Sequence, residues 1–419
     1  MKTCNYSPTT QSANSHKRIV PSHVQASWME QRIINFIKIN VQGNHGTLTL
    51  TLPSGFITKV GTGSPAADVK LNSLKAFTRL LTGGINGWSE SYIEGHWDSS
   101  DLTALVRWAL NYEKQIEKMA KAGFLTRSIN NFQHWRNQNS KAGSRRNIAA
   151  HYDLGNDFYK LWLDPGMTYS AALFDSADQS LEDAQTSKNQ RILELLQPQQ
   201  DDHIVEIGCG WGGFAETALQ HDLQLHGITL SKEQLDWARI RLADQQLDKK
   251  GFLSLTDYRD LTSQYDGVVS IEMFEAVGEK YWDTYFETLK RVLKPGGRAV
   301  LQVISIEHQR FLKYRKQADF IQSHIFPGGM LPSIEVLQEK IAEHGFTLQQ
   351  QQLFGKDYAR TLRLWRDKFE QATEQLEELG YDAQFRRLWR YYLSYCEGGF
   401  EEGSINVGLY QLCNNNSSL

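Results

Sequence analysis

The glycine-rich segment at residues 208–213 constrains the fold of this 419-residue chain more than any other stretch. An apolar run at 203–207, which contains one acid, Glu206, precedes the glycines, and a helical stretch, FAETALQ, follows them. A strand, a glycine loop and a helix in this order are typical of a nucleotide-binding crossover in an α/β sheet. Glycine lacks a Cβ atom, so the backbone can turn sharply and approach a ligand closely. The alternative is a tight strand-to-helix turn that binds nothing, and the downstream segments disfavour it.

The rest of the second half alternates between strands and helices, as a doubly wound α/β sheet requires. After the strand that contains Glu206, we predict strands at 223–230, 252–258, 266–274, 298–306 and 345–354. We predict helices at 180–196, from 231 to about 243, and from about 279 to 293, with a turn at 294–297. Ser180 and Asp183 have the spacing of an N-terminal capping box for the first of these helices.

The N-terminal part predicts a tail at 1–25 that is disordered and a small α+β domain at 26–110. A helix is expected over 28–39, and the alternating segment 46–52 and its return at 56–61 predict a hairpin. A Gly/Ser/Pro loop is expected next, then a helix over 70–82. Another helix is expected to start near Asp101, with Ser99 or Ser100 as its cap.

A basic connector is predicted at 111–146, between the small domain and a second domain at 147–419. Nine Lys and Arg residues and two Glu residues fall within 106–147, and aromatic residues are interleaved with them. This composition suits an anionic lipid surface, and a solvated linker is the equal alternative. Nucleic acid is a weaker interpretation, because the chain as a whole carries a net charge of −3.

Composition limits the cellular setting that we expect. The polar N-terminus has no apolar core of a signal peptide, and no stretch is long and apolar enough to span a bilayer. Four cysteines show neither metal-ligand spacing nor a C-x-x-C pair. We therefore expect a cytoplasmic chain with no metal site. Its many aromatic residues, with 11 Trp, 17 Tyr and 19 Phe, fit core packing or a pocket for an apolar or cationic species.

The pattern E-x-G-x-G-x-G at 206–212 resembles motif I of class I methyltransferases, which bind S-adenosylmethionine. In that fold the ligand lies at the carboxyl ends of the strands. The acid that usually binds the ribose after the second strand is missing here, and ITLSKEQ, with Thr229, Leu230 and Gln234, stands in its place. Asp257 and Tyr258 could flank the adenine. Glu272 and Glu275 follow the fourth strand, and we choose Glu275 for the site, with one of the two carboxylates pointing to solvent as the alternative.

A longer series of motifs resembles the cyclopropane-fatty-acid synthases and the related mycolic acid cyclopropane synthases. They are, in chain order, RRNIAAHYDLGNDFYKLWLDPGMTYS, EIGCGWGG, ITLSKEQ, DYRDL, SIEMFEAVGEKYW, FPGGMLPS, YARTLRLW and YCEGGF. They cover about 145–410, and residues 26–110 resemble the extra domain of the phospholipid enzymes more loosely. His151 and Tyr152 resemble an entrance gate, with plain surface residues as the equal alternative.

The resemblance implies an enzyme in which a cis double bond of a phospholipid acyl chain attacks the methyl group of S-adenosylmethionine. Proton loss then closes a cyclopropane ring. The residues that the resemblance and the strand ends assign to the cofactor are Tyr169, Ser170, Glu206, Gly208, Gly210, Gly212, Thr229, Leu230, Gln234, Asp257 and Tyr258. Glu275 and Tyr358 match residues that hold a bicarbonate ion as proton acceptor, and Ile304 offers it a backbone group. An alkene is a weak nucleophile, so such a site must hold the reactants together and exclude water.

Two departures from the family pattern bear on the product. Ala171 stands where the family usually has Cys, and Gln302 where it usually has His, and both positions belong to the bicarbonate site. Gln302 can donate a hydrogen bond to an ion but cannot usefully accept a proton. A methyl- or methylene-branched lipid is therefore an alternative product, and a lipid- or cofactor-binding module without catalysis is a second alternative.

Cys396 matches a cysteine long assigned to the active site of the family. Attack of an alkene on a sulfonium needs no thiolate, so a structural role is the favoured interpretation. The resemblance also implies peripheral association with the inner face of the membrane and a homodimer.

Overall fold

The computed structural model describes residues 25–116, 154–316 and 318–415. These residues contain a sheet of four strands and a sheet of seven strands. Three predicted features lie outside the described residues. They are the predicted tail at 1–25 except its last residue, most of the predicted connector at 111–146, and the pair His151 and Tyr152. Of the helices in the three described ranges, none is both long and apolar enough to cross a membrane.

The described residues 25–116, here called the N-terminal unit, build the smaller sheet in the order β2-β1-β3-β4. Its strands are β1 (Thr47–Thr51), β2 (Ile57–Val60), β3 (Ala66–Leu71) and β4 (Trp97–Asp98), and its helices are α1 (Trp28–Asn40), α2 (Lys75–Ile93) and α3 (Leu102–Asn111). The antiparallel hairpin of β1 and β2 confirms the predicted one. The predicted cap of α3 was wrong, because Asp101, rather than Ser99 or Ser100, accepts the hydrogen bond from Ala104 N at 2.9 Å.

The region after the hairpin differs from the prediction. Residues 66–71 form β3, which pairs in parallel with β1, where we expected a loop leading into a helix at 70–82. Alternate residues Ala67, Val69 and Leu71 are buried, as in a strand with one face on a core. The helix starts only at Lys75 and runs to Ile93 through a break at Gly84, whose φ is 61°. Because the whole segment 70–82 has helical spacing, the predicted helix included residues 70 and 71, which are the end of β3.

The larger sheet has the order β10-β11-β9-β8-β5-β6-β7. Its strands are β5 (His203–Ile207), β6 (Gln224–Thr229), β7 (Gly251–Leu255), β8 (Tyr265–Ile271), β9 (Leu293–Ile306), β10 (Phe346–Leu353) and β11 (Ile405–Asn414). The five strands from β9 to β7 are parallel to their neighbours, whereas β11 is antiparallel to both β9 and β10. This is the doubly wound α/β sheet that the sequence predicts, with one strand, β11, that it did not predict.

Three strand ends depart from the predicted bounds. β7 ends at Leu255 and β8 at Ile271, and short 3₁₀ turns, Tyr258–Asp260 and Phe274–Ala276, follow them. The predicted turn at 294–297 lies within the bounds of β9. The β8–β9 pairing jumps there from Tyr265↔Leu293 to Gly267↔Arg298, so these residues are looped out of the ladder. The earlier ends of β7 and β8 leave Asp257 and Glu272 after the strands rather than within them, and Glu275 lies on the second of the two turns.

Helices cover both faces of the larger sheet. In chain order they are α4 (Asn156–Lys160), α5 (Leu181–Leu196), α6 (Gly213–Gln220), α7 (Lys232–Asp244), α8 (Trp282–Val292), α9 (His308–Tyr314), α10 (Phe320–His324), α11 (Ile334–Glu343), α12 (Gly355–Gln371), α13 (Thr373–Glu378) and α14 (Ala383–Glu401). The predicted cap of α5 is confirmed, because Ser180 Oγ accepts from Asp183 N at 3.1 Å.

The N-terminal unit is packed against α14. Arg387 donates to the Asp98 carboxylate at 2.6 Å and to the Tyr92 carbonyl at 2.6 Å. The rings of Tyr92 and Tyr391 lie 5.6 Å apart. A single hydrophobic cluster includes buried residues of both sheets, such as Leu50 and Leu225. The two sheets therefore share one continuous core within the described residues.

Candidate functional site

A cavity of about 380 Å³ lies at the carboxyl ends of β5, β6 and β8, which is where open α/β sheets bind ligands. Most of the predicted site residues line it, namely Tyr169, Ser170, Glu206, Gly208, Gly210, Thr229, Leu230, Gln234, Tyr258, Glu275, Ile304, Tyr358 and Cys396. The fold thus brings together residues that are more than two hundred positions apart, such as Tyr169 and Cys396. Gly212, Asp257 and Gln302 do not line the cavity, and each has another partner, described below.

The glycine loop between β5 and α6 shapes the floor of the cavity. Gly208 and Gly210 have φ angles of 89° and 51°, which glycine adopts more readily than other residues. A Cβ atom on Gly210 would meet nothing within 4 Å, so its open side faces the cavity that it lines. A Cβ atom on Gly212 would lie 3.0 Å from Cβ of Ala238. Gly212 therefore allows α6 and α7 to pack closely.

The ends of β6 and β7 supply the side of the cavity. Thr229 Oγ1 donates to Gln234 Oε1 at 3.0 Å, and Ser231 N donates to Thr229 Oγ1 at 3.1 Å. Tyr258 lines the cavity, whereas the neighbouring Asp257 is 1% exposed and accepts two hydrogen bonds from Arg259, at 2.7 and 2.6 Å. Asp257 thus holds the turn that positions Tyr258.

Two buried groups of opposite charge lie beside the glycine loop. The side chain of Glu206 on β5 is buried, and its Oε2 has no hydrogen-bond partner among the described residues. Burial raises the pKa of Glu206, and the nearby Lys188 opposes the rise. Lys188 on α5 is fully buried and donates to Ser170 Oγ at 3.0 Å. Burial lowers the pKa of Lys188, and Glu272 and Asp164 oppose that change.

The carboxylate of Glu272 accepts three hydrogen bonds inside the cavity. Its Oε1 accepts from Ala171 N at 2.8 Å and from Gln302 Nε2 at 2.7 Å. Its Oε2 accepts from the Tyr358 hydroxyl at 2.7 Å. The φ of Glu272 is 50°, a left-handed conformation that is unusual for a non-glycine residue and directs the chain out of β8. Burial raises the pKa of Glu272, and the hydrogen bonds from Ala171 and Tyr358 lower it.

Glu275, three residues later, lines the cavity beside Glu272. Its Oε1 accepts a hydrogen bond from the backbone N–H of Ile304, the group that the family resemblance assigned to the bicarbonate ion. Its Oε2 has no hydrogen-bond partner among the described residues. Burial, and then the charge of Glu272, raise the pKa of Glu275 to about 8. Both carboxylates therefore line the cavity, and the alternative in which one points to solvent is wrong.

Aromatic side chains from α12 and α14 face the two carboxylates. The hydroxyls of Tyr169 and Tyr392 are 2.9 Å apart, and the rings of Tyr358 and Phe400 lie 4.5 Å apart. Tyr392 lines the cavity together with Tyr358 and Tyr169. Rings in this arrangement exclude water and can stabilise a positive charge by about 0.5–2 kcal/mol each.

The two cysteines of the cavity are poorly suited to act as nucleophiles. Burial, and then the charge of Asp319, raise the pKa of Cys396 far above its usual value. Burial raises the pKa of Cys209 as well. A thiol with a raised pKa stays protonated, and only the thiolate is a strong nucleophile.

The sequence patterns did not identify every residue of the cavity. Lys188 lies in the middle of a helix that reads as amphipathic and carries no local sign of burial. Val106 and Leu110 on α3 also line the cavity, although they belong to the N-terminal unit, where the sequence analysis assigns no site residue. The sequence analysis favours Glu275 over Glu272 for the site, because the spacing of these two residues alone does not show how β8 ends.

Comparison with known proteins identifies clear relatives. The family model described as mycolic acid cyclopropane synthetase matches residues 139–410. The tuberculostearic acid methyltransferase UfaA1 of Mycobacterium tuberculosis is 36% identical over 381 residues, which are 85% of this chain and 86% of that protein. The cyclopropane-fatty-acyl-phospholipid synthase of Escherichia coli is 36% identical over 349 residues, 82% of this chain and 87% of that protein.

A solved structure shows the same fold. The mycolic acid cyclopropane synthase CmaA1, complexed with SAH and CTAB, superposes with a TM-score of 0.60 at 32% identity. The match covers 64% of this chain and 98% of CmaA1. The mostly parallel sheet described above is therefore that of a class I methyltransferase.

Proposed function

Because this chain belongs to the mycolic acid cyclopropane synthetase family and is an S-adenosylmethionine-dependent methyltransferase, we propose that it acts on the cis double bonds of unsaturated phospholipid acyl chains. The methyl carbon of the cofactor becomes the bridging carbon of a cyclopropane ring. The observation that carries the proposal is the Glu272 carboxylate, held by three donors inside a cavity that also contains the glycine loop.

The residues present fit S-adenosylmethionine. The open side of Gly210 leaves room for close approach to the backbone. Oε2 of Glu206, which has no hydrogen-bond partner in the described part of the chain, is a buried acceptor beside it. Gly208, Gly210, Thr229, Gln234 and Tyr258 would hold the cofactor. Tyr169 and Ser170 would close the cofactor side of the cavity. When bound, the cofactor supplies an electrophilic methyl group on a sulfonium.

Residues of the chain stabilise the positive charge that forms on the acyl chain and accept the proton that is lost from it. With the cofactor bound, the alkene would take up the methyl carbon with its π electrons as the bond from sulfur to that carbon is lost, which would leave a positive charge on the acyl chain. The rings of Tyr169, Tyr358 and Tyr392 stabilise that charge and exclude water. Glu272 accepts the proton that is lost from the transferred carbon, and the electrons of that C–H bond close the ring. Tyr358 and Gln302 hold the carboxylate in position for this transfer.

We infer that a side chain of this protein, rather than a separate bicarbonate ion, accepts the proton. The Tyr358 hydroxyl and the Gln302 amide, which the family resemblance assigned to that ion, both donate to Glu272. A further anion would bring another negative charge beside the Glu272 carboxylate, and like charges at short distance are costly in a buried site. We therefore assign the proton acceptor to Glu272.

A methyl-branched lipid is the second candidate product. Proton loss from a carbon of the chain, rather than from the transferred carbon, would leave a branched alkene instead of a ring. The substitutions at Ala171 and Gln302 and the similarity to a tuberculostearic acid methyltransferase favour this candidate. Both outcomes use the same cavity and the same carboxylate.

The decisive experiment incubates the purified chain with S-adenosylmethionine and vesicles of dioleoyl phosphatidylglycerol, followed by mass spectrometry and proton NMR of the lipid. A mass gain of one CH₂ with the high-field protons of a three-membered ring supports the cyclopropane. The same mass gain with a new methyl signal and no ring protons supports the branched product. Cofactor binding without any mass gain would leave only a binding module and would sink the proposal.

The same acyl substrate implies contact with a bilayer. We place the chain at the inner face of the membrane as a peripheral protein, and the basic residues of the connector, such as Lys118 and Lys121, supply attraction to anionic lipid. Charge reversal at Lys114, Lys118 and Lys121 should weaken vesicle binding and reduce its salt dependence. Unchanged binding would contradict a docking role for the connector. The homodimer implied by the family resemblance stays a prediction.

A further inference from the structure

One wall of the cavity comes from outside the methyltransferase part of the chain. Val106 and Leu110 lie on α3 of the N-terminal unit and line the same cavity as Glu272 and Tyr358. The match to the family model begins at residue 139, after α3 has ended at Asn111. The wall that these two residues form is therefore not part of the catalytic domain that defines the family.

Helix α3 is held tightly in this position. A Cβ atom on Gly398 of α14 would lie 2.7 Å from Cγ1 of Val106, so the absence of a side chain at Gly398 admits the helix. One turn away, Thr103 Oγ1 donates to the buried carboxylate of Glu397 at 2.9 Å. Arg366 on α12 also donates to Glu397 and to Thr103. The contact joins α3 to the two helices that carry Tyr358 and Tyr392.

Apolar and aromatic residues of other elements line the same cavity as α3. They include Ile306, Ile405 and Gly399 together with Tyr395. Arg310 lines the cavity too, but its charge is matched by Glu113 at 2.7 Å and Glu307 at 3.1 Å. Apolar walls with the charge paired favour a hydrocarbon over a polar ligand.

From this placement we infer that α3 forms an acyl-chain subsite, in which Leu110 and Val106 set how far a chain can extend beyond its double bond. The inference rests on the proposed lipid substrate and adds to it a determinant of chain selection. The double bond must sit beside Glu272, so the depth of the compartment decides which chains can place it there. Leu110 is the better position to test, because it is half-buried and lines the cavity, whereas Val106 is pressed against Gly398.

The test compares Leu110→Ala and Leu110→Phe with the unaltered chain on vesicles containing equal amounts of dipalmitoleoyl and dioleoyl phosphatidylglycerol. Leu379, which is 47% exposed and does not line the cavity, provides matched controls as Leu379→Ala and Leu379→Phe. The readout is the ratio of the two modified chains by mass spectrometry. Displacement of bound cis-parinaric acid by each lipid reports chain binding without turnover.

Leu110→Phe should shift the ratio toward the shorter palmitoleoyl chain by about tenfold, because a few added carbons in an apolar pocket discriminate at that level. Leu110→Ala should shift it toward the oleoyl chain, and both Leu379 variants should keep the original ratio. The same order should appear in the displacement of cis-parinaric acid. Unchanged ratios and unchanged displacement in both Leu110 variants would overturn the inference.

The two measurements also separate the inference from the proposed function. If the unaltered chain transfers no methyl group to either lipid, the proposed function fails. In that case the displacement order of the Leu110 variants still decides whether α3 forms an acyl-chain subsite.

Discussion

The Tyr358 hydroxyl donates a 2.7 Å hydrogen bond to Oε2 of Glu272, and this contact joins α12 to the end of β8. The other carboxylate oxygen accepts from Gln302 on the neighbouring strand, β9, and from the backbone of Ala171. Three elements therefore converge on one carboxylate. A group held by three donors is preorganised, so it need not reorient when it accepts a proton.

Replacing Glu272 by Gln should remove the proton acceptor while keeping its shape. We expect kcat on vesicle lipid to fall by about 10²–10⁴-fold, the usual contribution of a positioned general base. Glu275→Gln is the matched variant. The pKa of Glu275 is about 8, so this group is largely protonated at pH 7 and its amide should cost less. Cofactor affinity, measured by calorimetry, should be retained in both, and equal losses of kcat in the two variants would contradict the assignment to Glu272.

The effect of added bicarbonate on turnover also tests whether Glu272 is the proton acceptor. If Glu272 is the acceptor, turnover should be the same in bicarbonate-free buffer and in buffer with added bicarbonate. The Glu272→Gln variant serves as the contrast, because its cavity lacks the carboxylate and a small anion could restore part of the activity. A strict requirement of the unaltered chain for bicarbonate would contradict the proposed role of Glu272.

Tyr358→Phe should change the pH dependence of the reaction. The hydrogen bond from Tyr358 lowers the pKa of Glu272, so its loss raises that pKa. The reaction needs the deprotonated carboxylate, and the acid limb of kcat should therefore move to higher pH. A hydrogen bond of about 0.5–1.5 kcal/mol corresponds to a shift of up to about one pH unit. Tyr285→Phe is the control, because Tyr285 is buried outside the cavity. An acid limb at the same pH in Tyr358→Phe would contradict the coupling.

How far the sequence predicts this site depends on the kind of residue. The glycine loop, Thr229 and Tyr258 follow strands of the parallel sheet, and strand ends meet at one edge whatever the details of packing. Those positions could be predicted from pattern alone. The choice between Glu272 and Glu275 could not, since it depends on the end of β8 at Ile271 and on the left-handed backbone of Glu272.

The periodicity of the sequence does not predict which residues are buried by contacts with distant parts of the chain. Lys188 lies on a helix with ordinary periodicity, and only the packing of α5 against the strand ends makes it a cavity residue. The antiparallel β11 is interrupted by Gly408 and gives no alternation, so its insertion between β9 and β10 was not predicted. The contribution of Val106 depends on the docking of one unit on another, and no local pattern encodes that contact.

Lys188→Met should alter how stability depends on pH. Burial lowers the pKa of Lys188 to about 8 in the folded chain, against an ordinary value near 10.5. Between these values the unfolded chain binds the proton and the folded chain does not, so this group makes the free energy of unfolding rise with pH. The variant should lose that rise, by up to about 1.4 kcal/mol per pH unit.

Urea unfolding at several values between pH 8 and pH 9.5 measures how the free energy of unfolding depends on pH. Lys232→Met is the control, because Lys232 is fully exposed. An equal slope in Lys188→Met and the unaltered chain would contradict a lowered pKa for the buried Lys188.

Gly398→Ala should separate α3 from α14. The added Cβ atom would lie 2.7 Å from Cγ1 and 2.9 Å from Cβ of Val106, and both belong to a buried residue that has little room to move. Overpacking of this kind costs about 1–3 kcal/mol. We therefore expect the free energy of unfolding to fall by that amount, and kcat on lipid to fall because a cavity wall moves.

Gly83→Ala is the control for Gly398→Ala, since its Cβ atom would meet nothing within 4 Å. The double variant Val106→Ala with Gly398→Ala should recover part of the stability, because it removes Cγ1 of Val106, the nearer of the two clashing atoms, and leaves only the contact with Cβ at 2.9 Å. If the double variant is instead as unstable as the two single losses combined, the close contact between Val106 and Gly398 does not hold α3 in place.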